Sequence, residues 1–208
     1  MAVVLNPGLY AITDPFLLSN ENLFTSVESA LAGGCRLIQY RDKLASNTER
    51  LQRAKKLSTL CRQYQAQLII NDDLTLCLES NADGVHLGKS DGDIISARRQ
   101  LGDSKILGVT CHNDLSYAQQ CIDLGVDYCA FGRIFPSYTK PNAPQCDLSV
   151  LEYALKLSKP VVAIGGITLD NIKLLMQTPV HNAAVIHGLF SEQDIQKTAQ
   201  KFQSYFSF

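Results

Sequence analysis

The sequence predicts a (β/α)8 barrel that forms a single domain over residues 1–208. Short apolar runs alternate with amphipathic helical segments from one end of the chain to the other, in eight units of roughly 25 residues. The predicted strands are continuous apolar runs, which is typical of parallel strands covered on both faces. An open doubly wound sheet is the alternative, but no G-x-G-x-x-G motif follows the first strand.

Each predicted strand is followed by a segment with apolar residues at helical spacing. The strands are predicted at residues 9–13, 37–41, 68–70, 84–87, 106–109, 128–131, 161–164 and 183–186. The helices are predicted at residues 22–32, 48–64, 74–80, 94–101, 114–124, 148–157, 171–177 and 194–205. Asn47 is the predicted N-cap of the second helix, and Asp73 and Asp93 suit the same role at the third and fourth.

The balance of charge argues against nucleic acid or a membrane surface as a partner. The chain has 19 basic and 20 acidic residues, and its formal net charge is −1. A protein that binds either partner usually carries a basic patch. No apolar run approaches the ~20 residues that a membrane-spanning helix needs. We therefore expect an anionic ligand to be held by a few cations inside a cleft.

Cysteine usage indicates a reducing compartment. The seven cysteines are an odd number without a C-x-x-C pair, and most lie in apolar stretches such as DYCAF. This pattern is typical of buried thiols rather than of disulfides or a zinc site. The N-terminus lacks the positive segment of a secretory signal and is interrupted at Pro7 and Gly8. These features predict a cytoplasmic protein.

Polar residues follow the predicted strands, and the most informative are in the segment LIQYRDK. Gln39, Arg41 and Lys43 alternate there. Residues two apart in a strand share a face, so an amide, a guanidinium and an ammonium group project together. Three such donors suit a polyanion such as a diphosphate. In a (β/α)8 barrel the active site lies at the C-terminal ends of the strands, where we expect these side chains to meet the others below.

Two carboxylates follow neighbouring strands. Asp72 lies next to Asn71 at the end of the third strand, and Asp91 lies in the loop after the fourth. Each could instead cap a helix, although Asp73 and Asp93 are better placed for that. Mg²⁺ prefers a few carboxylates together with waters and phosphate oxygens. Beside Arg41 and Lys43, the pair predicts a magnesium–diphosphate site.

A long loop and a glycine pair follow later strands. The segment FGRIFPSYTKPNAP is long for a connection in a barrel, and such loops are often functional. Ser137 and Thr139 supply hydroxyls there, and Lys140 supplies a cation. Gly165 and Gly166 follow the seventh strand, where phosphate sites recur in this fold, and His187 follows the eighth.

The remaining histidines are weaker candidates. His86 lies within an apolar strand and is expected to be a hydrogen-bonded barrel residue. His112 follows the segment GVTC and could act as an acid or a base. His181 lies in a predicted loop and has no predicted role.

Eight segments follow one another along the chain: LYAITD, IQYRDK, IIND, DGVHLGKSD, GVTCH, FGRIFPSYTK, AIGGI and AVIHGLF. In this order and spacing they resemble the thiamine phosphate synthase family, and the resemblance covers essentially the whole chain. The resemblance implies a (β/α)8 transferase of thiamine biosynthesis. Such an enzyme joins 4-amino-2-methyl-5-hydroxymethylpyrimidine diphosphate to a thiazole phosphate, with Mg²⁺, and releases diphosphate. Those two small molecules are then the expected partners. A homo-oligomer is a further possible assembly of the chain.

The resemblance also assigns roles to residues. It implies catalytic roles for Arg41, Lys43, Thr110 and Lys140. It assigns the pyrimidine diphosphate to Gln39, Tyr40, Arg41, Asp42, Lys43, Asn71, Thr110 and Lys140. It assigns the thiazole phosphate to Ser137, Tyr138, Thr139, Gly166, Ile186 and His187, and one Mg²⁺ to Asp72 and Asp91.

The chain departs from the family pattern at four positions. Thr110 replaces a usual Ser, Arg133 a Pro, Ser137 a Thr and His187 a Ser. These changes leave hydrogen-bond donors in place, so they bear on the geometry of the thiazole phosphate site rather than on the reaction.

Two other functions compete. A thiazole tautomerase of the same superfamily uses a histidine in the segment that matches GVTCH, which would be His112. Such an isomerase needs an acid or base but no diphosphate site. A non-catalytic binder of phosphate ligands would be expected to lose Asp72 or Lys140, and both are present.

Overall fold

A computed structural model describes residues 4–137 and 144–206. Eight parallel strands pair in chain order, and the eighth pairs with the first, so that the sheet closes into a barrel. The strands are β1 (Gly8–Ile12), β2 (Leu37–Tyr40), β3 (Gln67–Asn71), β4 (Gly84–Leu87), β5 (Ile106–His112), β6 (Tyr128–Phe131), β7 (Val161–Ile164) and β8 (Asn182–Val185). The predicted (β/α)8 fold is confirmed, and closure excludes the open sheet.

The helices that follow the strands surround the barrel. They are α1 (Leu23–Ala32), α2 (Asn47–Gln63), α3 (Leu74–Glu79), α4 (Ile94–Leu101), α5 (Leu115–Asp123), α6 (Leu148–Ala154), α7 (Ile172–Leu175), α8 (His187–Phe190) and α9 (Ile195–Ser204). Helices α6 and α7 are shorter than predicted, and the single turn α8 was not predicted. Its four residues are too few to show helical periodicity in a sequence.

The buried residues form two layers. The larger cluster, which includes Leu9, Ile38 and Phe202, lies between the strands and the helices. The smaller cluster, which includes Leu37 and Ile69, fills the inside of the barrel. Because successive side chains of a strand point to opposite faces, most strands contribute to both layers, which is why their sequences are largely apolar.

Most predicted caps are confirmed, but one is wrong. Asp73 and Asp93 accept hydrogen bonds from the third amide of α3 and of α4. Helix α2, in contrast, is capped by Ser46 rather than by Asn47. Ser46 and Glu49 form a reciprocal capping box, which satisfies two backbone donors at once, whereas a cap at Asn47 would satisfy one.

Strand β5 is longer than predicted, because it continues to His112. Its pairing with β6 shifts register between Thr110 and His112. Thr110 therefore lies in the strand itself, which fixes the direction of its side chain more firmly than a loop would.

Among the described residues, no helix combines the length and the apolar character that crossing a membrane requires.

Candidate active site

A cavity opens at the C-terminal end of the barrel, and all eight strands or the loops after them contribute to its wall. Eleven of the residues that the sequence analysis assigned to a substrate or to the metal line it. They are Gln39, Arg41, Lys43, Asn71, Asp72, Asp91, Thr110, Ser137, Gly166, Ile186 and His187. The fold therefore brings together residues that are up to 148 positions apart, from 39 to 187.

Arg41 is held in place from the neighbouring strand end. Thr13 Oγ1 accepts a hydrogen bond from the Arg41 amide at 2.9 Å and donates to the Arg41 carbonyl at 3.2 Å. The carboxylate of Asp14, which is buried, lies 3.5 Å from Arg41 Nη1. Only 16% of the Arg41 side chain is exposed. These contacts fix the direction of the guanidinium before any ligand binds. Sequence reasoning missed both Thr13 and Asp14.

Lys43 and Asp72 form an ion pair at the rim of the cavity. Lys43 Nζ lies 3.1 Å from Asp72 Oδ2. Burial opposes ionisation of Asp72, but hydrogen bonds and charge from Lys43, with Asp91 and Asn71, lower the pKa of its carboxyl. Asp72 is therefore a carboxylate at neutral pH. Its backbone has a φ of 62°, which turns the chain sharply at the end of β3.

Asp91 faces Asp72 across the rim. Both aspartates line the cavity, and the Asp91 side chain is one of the groups that lower the pKa of the Asp72 carboxyl. Asp91 Oδ2 also accepts a hydrogen bond from the Gly88 amide at 2.9 Å. A Cβ atom at position 88 would overlap this carboxylate oxygen, so the glycine allows the close approach. The predicted carboxylate pair is thus brought together.

Two predicted residues do not line the cavity. Tyr40 is buried in the outer layer between strands and helices, because it alternates with Gln39 along β2. Asp42 accepts hydrogen bonds from the amides of Leu44 and Ala45 and pairs with Arg53 at 2.6 Å. The structure thus gives Asp42 a role in shaping the loop after β2. Asp42 lines a neighbouring pocket together with Lys43 and Asp72, and the predicted ligand contacts of Tyr40 and Asp42 stay predictions.

A row of hydrogen-bonded side chains, which we call the interior chain, crosses the barrel below the cavity. Gln39 Nε2 donates to Tyr10 Oη at 2.7 Å, and Tyr10 Oη lies 2.9 Å from Tyr128 Oη. Tyr128 Oη lies 2.8 Å from His86 Nδ1, and His86 Nε2 lies 2.8 Å from Thr110 Oγ1. The expectation that His86 is a hydrogen-bonded barrel residue is confirmed, and it also lines the cavity.

Sequence reasoning missed the two tyrosines of the interior chain. Tyr128 pairs with Gly108 on the adjacent strand, and a Cβ atom on that glycine would overlap the tyrosine ring. The feature of the sequence that could have indicated a buried tyrosine here is therefore a glycine opposite a large aromatic residue on the neighbouring strand. It becomes visible only once the register of the two strands is known.

The opposite side of the cavity, from β6 to β8, presents backbone turns. Gly165 and Gly166 have φ values of 109° and 63°, a region that glycine adopts without strain. A Cβ atom at position 166 would overlap the backbone of Phe135 and Pro136. The loops after β6 and β7 are therefore packed backbone against backbone. Ile186 and His187 complete this wall at the start of α8.

Two further cationic or titratable side chains line the cavity. Arg133 lies in the loop after β6 and lines that side of the cavity. The sequence analysis noted it only as a departure from the family pattern. His112 lines the cavity as well and ends β5 with a φ of 54°. Tyr138, Thr139 and Lys140, which were predicted to contact the substrates, lie outside the described residues.

Comparison with known proteins identifies the family. A family model described as thiamine monophosphate synthase (TMP-TENI) matches residues 9–189, most of the chain. The chain belongs to the thiamine monophosphate synthase family.

Relatives within the thiamine monophosphate synthase family match over nearly their whole length. The thiamine-phosphate synthase of Alcanivorax borkumensis is 50% identical over 203 residues, covering 96% of this chain and 94% of that protein. That of Marinobacter nauticus is 47% identical over 205 residues, covering 98% and 92%. A solved structure, the thiamine phosphate pyrophosphorylase from Pyrococcus furiosus, is 32% identical with a TM-score of 0.88, and the match covers 97% of this chain and 96% of that one.

These findings confirm the family that the sequence motifs predicted, and with it an enzyme of the transferase class that acts in thiamine biosynthesis.

Proposed function

We propose that the chain is a thiamine-phosphate synthase. It transfers the 4-amino-2-methylpyrimidin-5-ylmethyl group from its diphosphate to 4-methyl-5-(2-phosphooxyethyl)thiazole and yields thiamine phosphate and diphosphate. One observation carries the proposal: in a chain of this family, the cations, the amides and the carboxylate pair expected of a metal–diphosphate site line one cavity.

The pyrimidine diphosphate is assigned to the side of the cavity formed after β2, β3 and β5. Arg41, whose position is fixed by Thr13 and Asp14, offers several N–H groups to phosphate oxygens. Lys43 is 58% exposed and pairs with Asp72, so it can turn its ammonium group toward a ligand. Lys140 is proposed to join them from the loop after β6.

Asp72 and Asp91 are suited to hold Mg²⁺. Both line the cavity beside Lys43, and the pKa of the Asp72 carboxyl is lowered, so that it is ionised at neutral pH. Among residues 4–137 and 144–206, no group of three or more acidic, histidine or cysteine side chains forms a complete metal cage. Two carboxylates beside a diphosphate fit Mg²⁺, which usually retains waters and substrate phosphate oxygens. Bound there, the ion would neutralise charge on the departing diphosphate.

The residues of the cavity favour a dissociative reaction. The bond between the pyrimidine methylene carbon and the diphosphate oxygen breaks, and its electron pair leaves with the diphosphate. Arg41 and Lys43 stabilise this developing negative charge. The amino-substituted ring stabilises the cation left behind, and the thiazole nitrogen then forms the new carbon–nitrogen bond. This route needs positioning and charge stabilisation, with no side-chain nucleophile.

The thiazole phosphate is assigned to the side formed by the loops after β6, β7 and β8. The turn at Gly166 exposes backbone there, and Ser137 and His187 contribute polar side chains to the same wall. Placing the two substrates on opposite sides of one cavity would direct the thiazole nitrogen at the methylene carbon.

The test is a reaction of the purified protein with the pyrimidine diphosphate, the thiazole phosphate and Mg²⁺, in which thiamine phosphate and diphosphate are measured together. We expect equal amounts of both products and loss of both in EDTA. Binding of both substrates without any product would overturn the assignment. Unchanged turnover in EDTA would overturn the metal site alone.

A second candidate is thiazole tautomerase activity, because His112 lines the cavity. Incubating the thiazole phosphate tautomer with the protein in the absence of pyrimidine diphosphate separates the two functions. A synthase leaves the tautomers unchanged, whereas a tautomerase interconverts them and loses this activity in His112→Gln.

We also propose a cytoplasmic location. All seven cysteines are buried free thiols, which suits a reducing compartment. The number of subunits can be measured by analytical ultracentrifugation.

A further inference from the structure

The interior chain has an internal direction. Each phenol hydroxyl has one hydrogen to donate, and a neutral imidazole has one N–H and one bare nitrogen. Since Gln39 Nε2 donates to Tyr10, the single hydrogen of Tyr10 is directed to Tyr128. The hydrogen of Tyr128 is in turn directed to His86 Nδ1. His86 must then carry its hydrogen on Nε2, where it donates to Thr110 Oγ1.

The direction of the chain determines what Thr110 presents to the cavity. Its hydroxyl oxygen accepts from His86, so its own hydrogen is directed away from His86. Thr110 is half-buried and lines the cavity. The available direction for that hydrogen is therefore toward a ligand.

We propose that Tyr10, Tyr128 and His86 are positioning residues, which hold Thr110 Oγ1 as a hydrogen-bond donor toward the ligand by fixing His86 in its Nε2–H form. The ligand group opposite Thr110 is then an acceptor, such as a ring nitrogen or a phosphate oxygen. The identification of this acceptor as part of the pyrimidine diphosphate rests on the proposed function. The predicted tautomer of His86 is independent of the proposed function.

The packing of the barrel interior supports this role. Tyr10 and Tyr128 are 1% and 0% exposed, and both lie in the inner cluster, which is otherwise made mostly of aliphatic residues. Tyr128 stacks on His86 with ring centroids 5.5 Å apart and meets Tyr10 edge-on at 6.1 Å. Gly108 provides the space for the Tyr128 ring. A buried hydroxyl costs free energy unless it is hydrogen-bonded. Breaking one of the four hydrogen bonds of the interior chain would therefore leave a buried polar group without its partner.

The phenols are suited to pass on a direction rather than a proton. Burial raises the pKa of Tyr10 and of Tyr128 above the usual value for tyrosine. Both therefore remain neutral donors at physiological pH.

The direction depends on which atom of the Gln39 amide faces Tyr10. With the amide oxygen there instead, every bond would run the opposite way and His86 would carry its hydrogen on Nδ1. Thr110 would then donate to His86 and could only accept from the ligand. The two directions make opposite predictions for a single measurable atom.

That measurement is the tautomer of His86 in the ligand-free protein, by long-range ¹H–¹⁵N NMR of protein labelled at histidine nitrogens. The chain has four histidines, and the His86→Gln spectrum identifies the signals of His86. We expect a neutral ring protonated at Nε2. A ring protonated at Nδ1 would overturn the proposal, whatever reaction the enzyme catalyses.

Removing a single hydroxyl tests the function of the chain. In Tyr128→Phe we expect a mixture of His86 tautomers, a KM for the pyrimidine diphosphate about tenfold higher and an unchanged KM for the thiazole phosphate. Tyr10→Phe should produce the same pattern with a smaller change, and it replaces Tyr128→Phe if that variant does not fold. The control is Tyr64→Phe, which removes a hydroxyl that donates to Glu28 on the surface, and it should change neither value.

A double-mutant cycle distinguishes positioning from a general loss of structure. If Tyr128 acts through Thr110, adding Tyr128→Phe to Thr110→Val should raise the KM for the pyrimidine diphosphate less than twofold further. An equal tenfold effect in both backgrounds would overturn the proposed route through Thr110. If the wild-type protein forms no thiamine phosphate, the proposed function fails, while the tautomer still decides the direction of the chain.

Discussion

The two sides of the cavity use different parts of the chain. On the side formed after β2, β3 and β4, charged side chains line the wall, and Arg41, Lys43 and Asp72 are each held by an ion pair. On the side formed after β6, β7 and β8, the wall contains backbone turns at Gly165 and Gly166 and the start of the short helix α8.

This difference determines how each side can bind an anion. Charged side chains provide strong interactions whose strength depends on the partner charge, and they can hold a metal ion. Backbone groups provide weaker interactions, but glycine turns fix their positions closely. We therefore expect substitutions on the first side to affect the chemical step and those on the second side to affect mainly the binding of the second substrate.

The largest effect is expected for Asp91→Ala. Loss of one of the two carboxylates proposed to hold Mg²⁺ should lower kcat at least about 100-fold, because stabilisation of the leaving charge by a metal is worth several kcal/mol. Steady-state kinetics over a range of Mg²⁺ concentrations measures this, and a weaker dependence on metal should accompany it.

Asp93→Ala is the matched control for Asp91→Ala. Asp93 lies two residues further on and caps α4 through the Ser96 amide. Its loss should cost about 1 kcal/mol of unfolding free energy and leave kcat unchanged. Equal losses of turnover in both variants would show that loop structure, rather than the carboxylate pair, controls the reaction.

Gly166→Ala tests the backbone side. The residue has a φ of 63°, and a Cβ atom would overlap the backbone of Phe135 and Pro136. We expect a loss of about 2 kcal/mol in unfolding free energy and an increase of about tenfold in KM for the thiazole phosphate. Thermal denaturation and steady-state kinetics provide the two values.

Gly102→Ala separates strain from crowding. Gly102 has a φ of 62°, but a Cβ atom there would have no neighbour within 4 Å. It should lose about 1 kcal/mol of stability and retain both KM values. If Gly166→Ala behaves in the same way, the tight packing of the two loops is not what shapes the site.

A smaller effect is expected for His187→Ser, which restores the family residue. Loss of the ring nitrogens from the wall should raise the KM for the thiazole phosphate roughly three- to tenfold, with kcat at saturation unchanged. His181→Ser, at the other end of β8, is the control and should leave this KM unchanged. A large fall in kcat for His187→Ser would contradict the division of the cavity into two sides.

The smallest effect on catalysis is expected for Asp42, which supports the charged side from outside the cavity and acts on stability. Burial opposes its ionisation, but the Leu44 and Ala45 amides and Arg53 together lower the pKa of its carboxyl. A lowered pKa stabilises the fold above the unfolded-state value near 3.9, and this contribution is lost as pH falls through the folded-state pKa. Asp42→Asn should therefore cost about 2 kcal/mol at pH 7 and progressively less below about pH 4.

Urea denaturation at several pH values measures the effect of Asp42→Asn. Asp123→Asn changes an exposed carboxylate that accepts a hydrogen bond from Gln119, and it serves as the control with little effect at any pH. A difference between Asp42→Asn and wild type that stays constant down to pH 3 would show that the charge of Asp42 does not stabilise the loop.

The sequence by itself determined the fold class, the strand positions and most of the cavity wall. This was possible because period and polarity are local properties: an apolar run predicts a buried strand, and a polar residue at its end predicts a position at one rim of the barrel. Gln39, Arg41 and Lys43 follow from alternation along one strand and the loop after it. The short helix α8 and the cap at Ser46 depend on one or two residues each, and alternatives in the sequence were equally plausible.

Only the tertiary structure decided which side chains meet. Tyr40 satisfies the same local pattern as its neighbours, yet the alternation that brings Gln39 to the interior buries Tyr40 in the outer layer. The interior chain joins residues of five strands, and its link from Tyr128 to His86 depends on the register that places Tyr128 opposite Gly108. Hydrogen bonds require positions within a few tenths of an ångström. Such positions are set by the closure of the whole barrel, and no single segment of the sequence determines that closure.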